Sequence, residues 1–233
     1  MSGPAPRRFE AVVLDLDGTL VDSVGDIADA LDRALREAGL AGFDESAVKR
    51  MVGGGSRRLV ERALAATGVG AEPEVVERVL QAFLAAYRAA PCVRTELYPK
   101  AREVLEGFAG QGIRLGICTN KPTDVTEAIL SGLGVRRLFG SVIGSAPGVP
   151  LKPAPDMLRR TVAELDVPAA AAIMVGDGAA DVGAARALGV PVVLLAHGYS
   201  ATPVAELGAD AVARAFDDLP GVLAALKAQA GRY

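Results

Sequence analysis

Short apolar runs that stop abruptly at polar residues recur along this chain. Residues 11–14 (AVVL) end at Asp15, 113–118 (IRLGIC) at Thr119-Asn120, 171–175 (AAIMV) at Gly176-Asp177, and 190–196 (VPVVLLA) at His197-Gly198. Residues 141–144 (SVIG) form a weaker fifth. Runs of this length without strict alternation fit strands covered on both faces, as in a parallel sheet. Between them the spacing changes to the helical period. Val104, Leu105 and Phe108 share a face before a stop at Gly112, and residues 123–134 and 156–167 repeat the design. Strands alternating with helices imply right-handed crossovers and a doubly wound, Rossmann-like α/β sheet.

Residues 22–90 break that rhythm. Ile27, Leu31, Ala34, Leu35 and Ala38 lie at helical spacing, as do Leu59, Val60, Ala63 and Leu64, and again Val75, Val79, Phe83 and Tyr87. Nothing between them reads as a buried strand. The pattern predicts an all-helical insertion at 22–90 in an α/β core made of 1–21 and 91–233. Gly53-Gly54-Gly55 falls between two of its helices, and Pro91 and Pro99 bracket the return to the core. Residues 219–233 read as a closing helix with a frayed end.

Composition narrows the class without choosing a chemistry. The chain has 233 residues, 51% of them apolar, which is enough for a sizeable core. A net charge of −3, a pI near 5.3 and no basic block interleaved with aromatics speak against a nucleic-acid partner. Two cysteines, Cys92 and Cys118, offer neither a disulfide framework nor a metal knuckle and suit a reducing compartment. Arg7 and Arg8 precede an apolar stretch, but Asp15 interrupts it before it reaches signal-peptide length. No run approaches the roughly 18 apolar residues of a membrane span. A soluble cytoplasmic protein is expected.

Ligands of open parallel sheets bind beyond the carboxyl ends of the strands, near a switch in strand order. The fold would therefore gather Asp15, Asp17, Thr119, Asn120 and Asp177 in one crevice. Like charges at ~4 Å repel by about 4 kcal/mol at an effective dielectric of 20, so protonation or a cation must relieve the crowding. An all-oxygen set without histidine favours a hard ion, Mg²⁺ before Zn²⁺, and Mg²⁺ commonly completes its shell with substrate phosphate. The only histidine is His197, and neither a GxSxG elbow nor a GxxxxGK[ST] loop occurs. A carboxylate nucleophile is what remains. Each residue also has a plainer reading: Asp15 and Asp17 as a turn pair, Thr119-Asn120 and Asp181 as helix caps, Lys152 as a solvated loop lysine. Gly53 to Ser56 fits either an interhelical connection or a loop that screens the leaving group. Arg57 and Arg58 read as a solvated helix face, His197 as a satisfied loop residue, and the cysteines as small core residues.

With DLDGTLVDS at 15–23, TN at 119–120, KP at 152–153 and GDGAAD at 176–181, in that order, the sequence resembles the phosphatases of the haloacid dehalogenase superfamily. The helical insertion resembles that family's cap. More narrowly, residues 52–64 (VGGGSRRLVERAL), 97–105 (LYPKAREVL), 152–158 (KPAPDML) and 196–200 (AHGYS) resemble the phosphoglycolate phosphatases and neighbouring subfamilies. The resemblance implies Asp15 as nucleophile and Asp17 as general acid, then base, with the crowded acids favouring a protonated Asp17. It implies Mg²⁺ on Asp15, the backbone carbonyl of Asp17 and Asp177. Thr119, the backbone N–H of Asn120 and Gly18 would bind phosphoryl oxygens, Lys152 would neutralise charge, and Asp181 and Thr19 would support the site. The expected substrate is a small phosphorylated metabolite, 2-phosphoglycolate first. A sugar-phosphate phosphatase or a β-phosphoglucomutase-like phosphotransferase is the competing expectation; the latter usually carries a His-Lys pair in the cap, and residues 22–90 contain no histidine. Gly178 stands where the family usually has a hydroxyl residue, which puts a supporting hydrogen bond in doubt rather than the metal site. A monomer and a homodimer fit equally.

Overall fold

The structure, a computed structural model, describes residues 9–70 and 72–230. The Arg7-Arg8 pair and the frayed end expected at the C-terminus lie outside these residues. Strand β1 (Ala11–Leu14) is wholly buried, with Val12 and Leu14 in the apolar cluster on one face of the sheet and Ala11 and Val13 in that on the other. That double burial is why its sequence shows a continuous apolar run. It lies at the centre of a six-stranded parallel sheet, between β4 (Arg114–Pro122) and β6 (Ala172–Gly176). The chain runs outward from β4 to β5 (Phe139–Ser145), then returns to β6 and continues through β7 (Val192–Leu195) to β8 (Ala211–Ala213). Strand order therefore reverses at β1, and the crevice at its carboxyl end is the switch point.

Helices α5 (Ala101–Gly110), α6 (Thr123–Gly132) and α9 (Leu219–Ala230) cover one face through Leu105, Phe108, Ile129, Leu130, Leu219 and Leu223. Helices α7 (Asp156–Glu164) and α8 (Ala179–Leu188) cover the other through Met157, Leu158, Val162, Val182 and Ala185.

Between β1 and α5 the described residues form four helices: α1 (Val24–Glu37), α2 (Glu45–Met51), α3 (Ser56–Thr67) and α4 (Pro73–Ala89). Their inward residues follow the helical period, Ile27, Leu31, Ala34 and Leu35 on α1 and Val76, Val79, Leu80, Phe83 and Tyr87 on α4. They join Leu16 and Leu20 in the same apolar cluster as one sheet face. The chain enters this layer through β2 (Val21–Asp22) and leaves through β3 (Glu96–Leu97), which pair antiparallel, Val21 opposite Leu97. Asp26 in the first turn of α1, 3% exposed, ties the layer to its exit. Its carboxylate accepts the N–H groups of Val93, Arg94 and Thr95 and the Thr95 hydroxyl. These four donors offset the cost of burying its charge.

Candidate active site

β1 delivers Asp15 to the rim of the sheet, where the Asp15 N–H extends the ladder to the Val175 carbonyl at 2.9 Å. The Asp15 Oδ1 accepts the Leu16 N–H at 2.7 Å and pairs with Lys152 Nζ at 3.0 Å. Lys152, 4% exposed, places its two other ammonium protons on Asp181 Oδ1 and the Cys118 carbonyl, both at 2.7 Å. All three donors are thereby used. Burial works against the Lys152 charge, but Asp15 and Asp181 overcome it and raise the ammonium pKa above its ordinary value.

Asp177 follows β6 and Asp181 lies in the first turn of α8. Asp181 Oδ2 accepts the N–H groups of Asp177 and Gly178, a cap at the start of α8, while its Oδ1 accepts the Lys152 ammonium proton. Oxygens of Asp15, Asp177 and Asp181 all lie within 4.8 Å of one another. Burial first, then the charges of Asp181 and Asp15, push the Asp177 carboxyl up to about 7. Burial and the Asp15 charge also raise that of Asp181, against the pull of Lys152. Three carboxylates opposed by one ammonium make an all-oxygen donor set that fits a hard divalent cation.

The turn after β1 leaves Asp177 no slack. Gly18 has φ +78°, and a Cβ there would meet Asp177 Oδ2 at 2.5 Å. The Thr19 hydroxyl donates to Asp177 Oδ1 at 3.2 Å, and the Tyr199 N–H to Oδ2 at 2.6 Å. His197, its ring tilted against that of Tyr98, donates from Nε2 to the Thr19 carbonyl at 3.2 Å, as befits a satisfied loop residue.

Asp17 departs from expectation. Its Oδ1 pairs with Lys121 Nζ at 2.9 Å and accepts the Ser23 hydroxyl at 2.5 Å. Its carboxylate thus faces a cation rather than the acid trio. Thr119 and Asn120 are buried within β4 rather than beyond it, because the strand continues past its register shift to Pro122. The Asn120 side chain is spent on the backbone of Lys152, accepting its N–H at 2.8 Å and donating to its carbonyl at 3.0 Å.

A cavity of about 280 Å³ opens above this rim. Asp17, Thr119, Lys121 and Asp177 line its floor, and Gly53, Gly55, Leu59 and Phe83 its roof. Gly55 (φ +82°) comes so close to β4 that a Cβ would stand 3.4 Å from the Asn120 carbonyl oxygen. The Gly53 to Ser56 loop therefore faces the cavity. Arg57 and Arg58 do not: they pair with Glu77 and Glu61 in solvent. Arg50 and Arg62 line the cavity instead, and Arg62 Nη1 braces the loop through the Met51 carbonyl at 2.7 Å.

The family model described as haloacid dehalogenase-like hydrolase matches residues 9–189. The chain belongs to this family. Among relatives of this haloacid dehalogenase-like hydrolase, a phosphoglycolate phosphatase of Rhodospirillum rubrum is 47% identical over 213 residues, covering 90% of this chain and 87% of its own length. A phosphoglycolate phosphatase of Cereibacter sphaeroides is 37% identical over 217 residues, covering 93% and 99%. A crystal structure described as a predicted phosphoglycolate phosphatase from Haemophilus somnus superposes with a TM-score of 0.84 at 30% identity, covering 92% of this chain and 98% of that one.

Besides Arg50 and Arg62, sequence reasoning missed four residues at or beside this hydrolase's cavity. Lys121, 5% exposed, also donates to the Tyr87 hydroxyl at 2.6 Å. Burial and the Asp17 charge hold the Tyr87 phenol well above its ordinary pKa, keeping it protonated. Ser23 and Tyr199 complete the set. Lys121 was within reach, being the next residue after Thr119-Asn120; Tyr87 was not, since four residues after Phe83 it reads as one more core position.

Proposed function

We propose that the chain is a cytoplasmic, Mg²⁺-dependent phosphomonoesterase that hydrolyses 2-phosphoglycolate to glycolate and phosphate through a phospho-aspartate at Asp15. The observation that carries the reaction type is the Asp15 carboxylate. Oδ1 is held by the Leu16 N–H and Lys152, which leaves Oδ2 to attack phosphorus. In this reading that attack breaks the bond to the leaving alkoxide, and Asp17 supplies its proton. Asp17 then takes a proton from water, which attacks the acyl phosphate, frees phosphate and restores Asp15. The Thr119 hydroxyl, the Asn120 N–H and Gly18 bind phosphoryl oxygens, while Lys152 offsets their charge. Asp15, Asp177 and the Asp17 carbonyl would hold Mg²⁺, with Asp181 and Thr19 in support. Held there, the ion would supply positive charge between the nucleophile and the anionic phosphoryl group.

The relatives' activity and the cationic lining both support the substrate. Lys121 below and Arg50 and Arg62 above suit a phosphate ester carrying a second negative group. The reading divides the chain into a core of 1–21 and 91–233 and a lid of 22–90 that excludes water during transfer. A phosphate-release screen over small phosphorylated metabolites, with and without Mg²⁺, tests it. Release is expected with 2-phosphoglycolate and Mg²⁺, and Asp15→Asn is expected to abolish it. Retained turnover in that variant refutes the nucleophile, and isomerisation of a hexose 1-phosphate without phosphate release overturns the hydrolytic reading.

A further inference from the structure

Tyr199 is a single buried side chain, 7% exposed, that touches both the acid cluster and the doorway of the helical layer. Its N–H donates to Asp177 Oδ2 at 2.6 Å. Its hydroxyl accepts the N–H groups of Ser23 at 2.7 Å and Val24 at 3.1 Å, and donates to Asp22 Oδ1 at 2.7 Å. The phenol's proton and both lone pairs are thus spent on the three residues that lead from β2 into α1. Lys49 of α2 lies 5.0 Å from the ring centroid, adding a cation–π contact from the helical side. The neighbouring backbone is packed without slack: a Cβ on Gly198 would stand 2.2 Å from Asp177 Cβ, and one on Gly18 would stand 3.0 Å from Tyr199 Cγ.

From these contacts we infer that Tyr199 is a positioning residue that couples the seat of Asp177 to the entrance of the helical layer. Whatever moves or neutralises Asp177 shifts the Tyr199 backbone, and the phenol carries that shift to the first amides of α1. The coupling rests on the proposed function only where a cation is what acts on Asp177.

Amide hydrogen exchange at Ser23 and Val24 in the metal-free protein tests it. Tyr199→Phe keeps the ring and the N–H to Asp177 but removes the hydroxyl, and should speed exchange at these amides about fivefold. Asp177→Ala should speed the same amides about twofold or more in the otherwise native chain and add nothing when combined with Tyr199→Phe. Asp177→Asn replaces it if the alanine variant does not fold. The Leu194 amide in β7 should be unaffected throughout, which separates coupling from global loosening. Additive effects of the two substitutions, or no effect of the Asp177 change at Ser23 and Val24, overturn the inference. In a second arm, saturating Mg²⁺ should slow exchange at these amides in the native chain but not in Tyr199→Phe, with calorimetric Mg²⁺ affinity within about twofold for both because the N–H contact remains. Full protection in Tyr199→Phe also overturns it. Absence of Mg²⁺ uptake sinks the metal reading instead and leaves the metal-free cycle to decide the coupling.

Discussion

Lys152 holds together charges that the fold has no other means of tolerating. Its ammonium is the one cation touching both Asp15 and Asp181 among the described residues. Removing one partner of a buried ion pair leaves an uncompensated charge and commonly costs about 3–5 kcal/mol. Lys152→Met is therefore expected to lose roughly that much in urea unfolding at neutral pH. The loss should shrink in acid, where Asp181 and Asp177, with raised pKa values, take up protons. His197 sets a slope of the opposite sense. Burial lowers its pKa below 6.5, so the folded state disfavours the proton that the unfolded state accepts. Its contribution is complete above that pH and is lost as pH falls through the depressed value. Unfolding midpoints between about pH 5 and 8 should show this decline in the native chain and a flatter profile in His197→Asn.

Among the elements, Gly178 offers the sharpest test. It precedes α8 in extended conformation, and a Cβ there would come no closer than 4.0 Å to Asp181 Oδ2. The missing hydroxyl is thus a vacancy the backbone can fill. Serine is a slightly better helix cap than glycine, so Gly178→Ser should raise stability by a few tenths of a kcal/mol, about 1 °C in melting. The long elements were legible because burial imprints them: β1, β4, β6 and β7 as apolar runs, α1, α3 and α4 as helical stripes. Several short ones, α2 and β8 among them, were not. Helix α2 buries only Val48 and owes its start to Asp44, which accepts the Ala47 N–H at 2.8 Å. Strand β8 is three residues at the sheet edge with Val212 exposed. Elements that bury so little leave no period to read. The same asymmetry holds in the site. Asp15 and Asp177 directly follow strand ends, and Lys152 and Asp181 were legible through the family motifs KP and GDGAAD that contain them. The Lys121 partnership with Asp17 and Tyr87 joins three distant segments and exists only in the folded chain.

For the molecule as a whole, the acid trio is a local instability that a cation would relieve. Ligand present at about 100 times its dissociation constant stabilises a fold by about 2.7 kcal/mol. Saturating Mg²⁺ should therefore raise the melting temperature measurably in the native chain and far less in Asp177→Ala, which differential scanning calorimetry would resolve. The β2–β3 pair has a separate architectural meaning. Since Val21 and Leu97 stand side by side, the excursion between them leaves and rejoins the core chain at one gatepost. Residues can be added to or trimmed from the connections between its helices without altering the register of any strand in the six-stranded sheet.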